Sequence, residues 1–193
     1  RISGQPPHAI ARLGIVRTFQ KTEVFPQLTL VECVRTGALC HRRFGIADVL
    51  LRGSACAAFA ADATRRAREL IDFVGLAAKE SLQARALSYG EQRLLEIAVG
   101  LAASPRLLLL DEPASGMNPE EAGRMEATIR RIRDLGMGVL LIEHNMRLVM
   151  SVSDRVVVLH HGERIAEGRP DDVSGDRRVV EAYLGKGWSG AAA

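Results

Sequence analysis

Aromatic side chains are scarce, 4% of the 193 residues, too few for the stacked-base surface that binds single-stranded nucleic acid. Excess charge is also small. The 26 Lys and Arg against 23 Asp and Glu leave +3, with the signs interspersed, which is too weak to argue for nucleic acid or an anionic membrane. No uninterrupted apolar run approaches the ~18 residues of a membrane span. Cysteine is limited to Cys33, Cys40 and Cys56, with no CxxC pair and no metal-ligand spacing, so reduced thiols in a cytosolic setting are expected. The phosphate-cradling loop GxxxxGKS/T does not occur either. Gly185-Lys186-Gly187 contains the only Gly-Lys step, and no strand-like run precedes it. What remains is an ordinary globular composition, 47% hydrophobic and 25% charged, long enough for one core with an inserted subdomain.

Periodicity and punctuation give the order of elements. "RLGIVRTFQ" (12–20) reads as a strand running into a loop, and Thr29 as the cap of a short helix. The Ala-, Arg- and Leu-rich stretch from 42 to 76 reads as helical with a break near Gly53-Ser54. Ala67, Leu70, Ile71 and Val74 form its core stripe, and Gly75 its C-cap. After the turn at Ser88-Tyr89-Gly90, a helix carries Leu94, Ile97, Ala98 and Leu101 on one face and stops before Pro105. "RLLLLD" and "MGVLLIEH" read as strands buried in a parallel sheet, separated by a helix capped by Asn118 with Pro119 at its first position. A short helix, a hairpin turning at His161-Gly162 and a closing helix over "RRVVEAYLG" complete the chain. Strand–helix alternation from 106 onward argues an α/β fold with a mostly parallel sheet, and 31–94 reads as an inserted helical subdomain.

The chemistry concentrates in "LLLLDEPASGMNPEE". In a parallel sheet, ligands bind beyond the carboxyl ends of the strands, where Asp111 stands. A carboxylate there suits Mg²⁺ on a phosphate substrate, and adjacent Glu112 is placed to polarise water. Alone, the pair is equally compatible with a turn cap and a solvated glutamate. Ser88 and Gly90 open a long helix, an arrangement that favours anions, although a lone serine there is more often a plain cap. His144 follows the second strand and shares the edge of Asp111 if the two strands are parallel. Gln20 ends the first strand-like run.

The order Gln20, Ser88-Gly90, Asp111-Glu112, Asn118, His144 resembles the ATP-binding subunits of ABC transporters over nearly the whole chain. "TFQ" is similar to the Q-loop, "LSYGEQ" to the signature, "LLLLDEP" to Walker B with its catalytic glutamate, "SGMNPEE" to the D-loop and "IEHNM" to the switch histidine. Tyr89 in the signature, Asn118 in the D-loop and the ending "VVEAYLG" resemble the LivG-type ATPases of branched-chain amino-acid importers.

The resemblance implies a P-loop NTPase-like core with ATP and Mg²⁺ as cofactors. It makes Glu112 the general base, His144 a γ-phosphate contact, and Asp111 and Gln20 the Mg²⁺ residues, with Gln20 also a catalytic residue that reaches the attacking water. Ser88, Gly90, Glu91 and Asn118 would touch the ATP of a facing ATPase subunit, identical or different. It further implies two membrane permease subunits, with Phe25, Pro26 and Leu28 near their coupling helix. A periplasmic solute-binding protein would act indirectly, nucleic acid plays no part, and the location is the cytoplasmic face of the inner membrane. On this basis 1–30 is the remainder of the ATPase core past the Q-loop, 31–94 the helical signature subdomain, and 95–193 the core with Walker B, D-loop, switch histidine, hairpin and closing helix. In the family the phosphate loop precedes the Q-loop, whereas here residue 1 is Arg and 19 residues precede Gln20. The expectation is a chain missing the N-terminal strands of its domain, inactive alone and exposing apolar sheet. A lipid or lipopolysaccharide exporter ATPase, and a non-hydrolysing ABC remnant that binds partners, are the alternatives.

Overall fold

The computed structural model describes residues 2–18, 24–39 and 54–184. They form two compact units, Arg1–Ile142 and Glu143–Ala193.

In the first unit, α1 (Pro7–Arg12) leads into β1 (Ile15–Arg17). Helix α2 (Leu30–Ala38) starts at Thr29, whose side chain accepts the Glu32 N–H while Glu32 accepts the Thr29 N–H, a reciprocal capping box. Helix α3 (Ser54–Phe73) buries Ala67 and Ile71, and Val74, just past its end, is buried too. The helix ends on Gly75, at φ +76°, with Gly75 N–H donating to Asp72 O and Leu76 N–H to Ile71 O. Only a residue tolerant of the left-handed conformation closes this pair of bonds cheaply, and glycine is that residue. Helix α4 (Tyr89–Ala102) buries Leu94, Ile97, Ala98 and Leu101, the expected stripe. It crosses α2 closely: a Cβ on Gly37 would stand 2.1 Å from Val99 O. Strand β2 (Leu107–Asp111) is followed by α5 (Pro119–Asp134) and β3 (Gly138–Ile142). Helix α5 has Asn118 as its cap, Glu120 and Glu121 in its first turn, and Arg131 and Arg133 in its last, an order matched to the helix dipole.

The three strands pair in parallel in the order β1-β2-β3, with Arg17 opposite Leu109 and Asp111 opposite Ile142. Side chains alternate between faces. Leu108 and Leu110 are buried on the face approached by Gly100 of α4, whose added Cβ would meet Leu108 at 3.4 Å. The other face differs from the sequence expectation of strands buried on both sides. Leu107 and Leu109 are only partly covered, and Leu140 and Ile142 on β3 are 51% and 55% exposed. An apolar run cannot report this, because Leu is written the same way whether or not a second layer covers it.

In the second unit, α6 (Met146–Val152) is capped by Asn145. Strands β4 (Val156–His160) and β5 (Glu163–Gly168) form an antiparallel hairpin. Its turn residues His161 and Gly162 both have positive φ, +50° and +82°, the conformation that matches the strand twist. Helix α7 (Pro170–Ser174) and α8 (Arg177–Val179) follow, and α8 continues as a π-helical turn over Val180–Leu184. Val156, Val158, Ala166, Val173 and Val179 make the core of this unit. Among the described residues no helix is long and apolar enough to cross a membrane.

Candidate functional site

Asp111 is the last residue of β2, and β1 brings Arg17 beside it on the same face. Arg17 Nη2 lies 2.7 Å from Asp111 Oδ2, with the two side chains 59% and 18% exposed. Glu112 then leaves the strand with φ +46°, and its N–H donates to Ile142 O at 2.8 Å. A left-handed glutamate is strained, and such strain collects at functional sites. It turns the chain sharply at the sheet edge, so the two adjacent carboxylates are carried by backbone of opposite hand.

A second cluster joins the amino termini of α4 and α5. Ser88 Oγ accepts the Glu91 N–H at 3.3 Å and donates to Glu121 Oε1 at 3.1 Å. Gly90 is buried, and a Cβ there would fall 2.6 Å from Glu121 Cδ. Glu91 accepts the Ser88 N–H at 3.1 Å and Lys79 Nζ at 2.6 Å. Burial pushes its pKa up, but the Lys79 ammonium and the Ser88 N–H outweigh burial and hold it below the ordinary glutamate value. Asn118 Oδ1 accepts the Glu121 N–H at 3.0 Å. Tyr89 Oη accepts two bonds from buried Arg93, at 2.9 and 3.1 Å, and its ring edge would meet a Cβ on Gly116 at 3.5 Å. Arg93 also pairs with Glu96 at 3.1 Å.

Ser88, Gly90, Glu91 and Asn118, read from the sequence as one set, therefore share one cluster, with Glu121 as its unpredicted hub. Asp111 and Glu112 adjoin at the carboxyl edge. The parallel pairing of β2 and β3 that the placement of His144 presupposed is present. His144 itself opens the second unit, where it is exposed and its N–H donates to Glu143 Oε2 at 3.2 Å. Gln20 lies outside the described residues. Glu121 could have been found from its place three residues after Asn118, the capping-box spacing. Arg17 could not, because its partner is set by the register of two strands far apart in sequence.

Among the described residues no three His, Cys, Asp or Glu side chains gather as a metal cage. Asp111 nevertheless suits a cation, since it already holds the Arg17 guanidinium, and Mg²⁺ on nucleotides uses few protein ligands with phosphate and water oxygens completing the shell.

A parallel α/β unit with paired acids at a strand end is compatible with nucleotide hydrolysis, and similarity to known proteins gives the family. The family model described as "ABC transporter" matches residues 2–115, and the chain belongs to that family of ATP-binding, ATP-hydrolysing cassettes. A second model, "Branched-chain amino acid ATP-binding cassette transporter", matches residues 163–188. The chain is 39% identical over 186 residues to the high-affinity branched-chain amino acid transport ATP-binding protein BraF of Pseudomonas aeruginosa, covering 96% of this chain and 73% of that one. It is 37% identical, with the same coverages, to LivG of Escherichia coli, which carries the same description. To the lipopolysaccharide export system ATP-binding protein LptB of Escherichia coli it is 33% identical over 185 residues, covering 96% and 71%. A nucleotide-free ATP-binding cassette from an ABC transporter superposes with a TM-score of 0.75 at 26% identity, covering 96% and 74%. A cassette in its ADP conformation gives 0.73 at 27%, with the same coverages.

Proposed function

We propose that the chain is the ATP-binding and ATP-hydrolysing subunit of an importer for branched-chain amino acids or related solutes. The observation that carries this reading is the similarity to BraF and LivG over 96% of the chain, joined to the branched-chain model at residues 163–188.

On this reading Asp111 would hold Mg²⁺ together with Gln20, and the ion when bound neutralises charge on the phosphate oxygens. Glu112 takes the proton of the attacking water. Its left-handed backbone turns the chain off the strand directly after Asp111. His144 contacts the γ-phosphate. Ser88, Gly90, Glu91 and Asn118 serve the nucleotide of the facing subunit, where the positive end of α4 favours an anion. Phe25, 56% exposed, offers an apolar contact to a permease subunit. Residues 1–30 and 95–193 act as ATPase core and 31–94 as the signature subdomain, at the cytoplasmic face of the membrane. Because the sequence carries no GxxxxGKS/T loop, which in P-loop enzymes cradles the β- and γ-phosphates, the chain alone binds ATP poorly and hydrolyses none.

The test is co-expression with candidate permease pairs and solute-binding proteins. Co-purification with a branched-chain amino-acid permease pair is expected. Exclusive capture of a lipopolysaccharide-export membrane pair would move the assignment to the second reading, which rests on the 33% identity to LptB. Glu112-dependent ATP hydrolysis by the purified chain would overturn its inactivity alone.

A further inference from the structure

Glu121 divides its carboxylate between two helix amino termini. Oε2 accepts the Asn118 N–H at 3.3 Å and closes the cap of α5. Oε1 accepts the Ser88 hydroxyl at 3.1 Å, across 33 positions of sequence. Both termini present the positive ends of helix dipoles, so an anion between them is favoured. Gly90 makes the approach possible, because a Cβ there would stand 2.6 Å from Glu121 Cδ and 2.7 Å from Oε1.

A serine hydroxyl has one proton to donate. Here that proton goes to Glu121, while Oγ accepts the Glu91 N–H. A phosphate oxygen is an acceptor and finds no donor on Ser88 while this bond persists. The carboxylate also fills the space over Gly90 and repels a second anion.

We propose that Glu121 is an internal anion that keeps the signature serine closed. It occupies, within the same chain, the place that a phosphate would take, and phosphate engages Ser88 only when the Ser88–Glu121 bond breaks. This rests on the reading of Ser88 and Gly90 as phosphate contacts. It makes Glu121 a positioning residue that ties the state of the signature to the D-loop helix α5.

The experiment titrates the purified chain with inorganic phosphate, following the Gly90 and Glu91 amide resonances by NMR. Glu121→Gln keeps one oxygen acceptor for the α5 cap, and it removes the charge and replaces the oxygen facing Ser88 with an NH2 donor, so the serine hydroxyl is released. It is expected to tighten phosphate binding about two- to fivefold, the size of one charge at a helix terminus. Adding Ser88→Ala to that variant is expected to cancel the gain. In the unsubstituted chain, the carboxylate ¹³C resonance of Glu121 is expected to move with the same midpoint as the amides. Equal saturable binding at these amides in wild type and Glu121→Gln, or an unmoved Glu121 resonance during that binding, overturns the role of Glu121 and leaves the phosphate reading standing. If the α4 amides ignore phosphate in every variant, the phosphate reading of Ser88 and Gly90 falls, and this inference falls with it.

Discussion

Arg17 on β1 and Asp111 on β2 form an ion pair of 2.7 Å on the face of the sheet that also carries Leu140 and Ile142. The guanidinium is mostly in water, so the pair contributes only about 0–1 kcal/mol. Arg17→Ala is therefore expected to lower the free energy of unfolding by less than about 1 kcal/mol in urea melts, with the difference shrinking in high salt. Its larger effect is on cation access. Mn²⁺ should broaden the Asp111 amide resonance at a lower concentration in Arg17→Ala than in wild type. Identical broadening curves would show that Arg17 does not compete for this carboxylate.

The backbone of Glu112, at φ +46°, can be tested separately from its carboxylate by comparing two truncations. Glu112→Ala and Glu112→Gly both remove the side chain, but only glycine is relaxed in the left-handed region. Left-handed strain amounts to about 1–2 kcal/mol, and glycine's greater freedom when unfolded offsets part of that. Glu112→Gly is expected to be more stable than Glu112→Ala by about 0.5–1 kcal/mol in equilibrium unfolding. Equal stabilities would mean that the turn carries no strain.

Local signals in the sequence located most of the fold. Thr29, Ser88 and Asn118 each cap a helix through a three-residue spacing, and Gly75 ends α3 where a left-handed residue is needed. Those devices work within one turn of chain, so they are visible in a single sequence. The same is true of Asp111-Glu112, which adjoin covalently. Arg17–Asp111 and Ser88–Glu121 join residues 94 and 33 positions apart, and their existence depends on strand register and helix approach. The exposed face of β3 was misread for a related reason. "GVLLI" is apolar enough for a doubly covered strand, and nothing in its letters counts the layers around it.

Two glycines in helices should respond to alanine with opposite signs. At Gly37 the new Cβ would meet Val99 O at 2.1 Å. A backbone carbonyl in a packed helix cannot move aside, so Gly37→Ala is expected to cost about 3 kcal/mol or more. At Gly123, in α5, nothing lies within 4 Å of the added atom. There the alanine gains helix propensity, and Gly123→Ala is expected to stabilise by about 0.5–1 kcal/mol. Thermal denaturation of both variants checks the pair, and a mild effect at Gly37 would contradict the α2–α4 contact.

Acid should expose the contribution of Glu91. Burial opposes its ionisation, yet the bonds from Lys79 and the Ser88 N–H hold its pKa below the ordinary value. The unfolded chain therefore binds the proton first as pH falls. The stability from this group is full above the ordinary glutamate pKa of about 4.3, and is lost as pH drops through the lower folded value. Lys79→Met leaves burial without its counter-charge, so the folded pKa of Glu91 rises toward the unfolded value and the variant should lose less stability than wild type as pH falls through the acid range. Urea midpoints measured from neutral pH into the acid range test this, and superimposable profiles would sink it.

Leu140 and Ile142 stand on one face of β3, an outer strand of the sheet among the described residues, at 51% and 55% exposure. An exposed apolar strand at a sheet edge is a template for association. The isolated chain is expected to self-associate, with a sedimentation coefficient that rises with concentration. Leu140→Thr combined with Ile142→Thr keeps residues suited to a strand while removing apolar surface. The double variant should sediment as a monomer over the same range, and its unfolding should stay cooperative because neither side chain is buried. A wild-type chain that remains monomeric and unfolds cooperatively at every concentration would show that this face is adequately covered by its own polar surroundings.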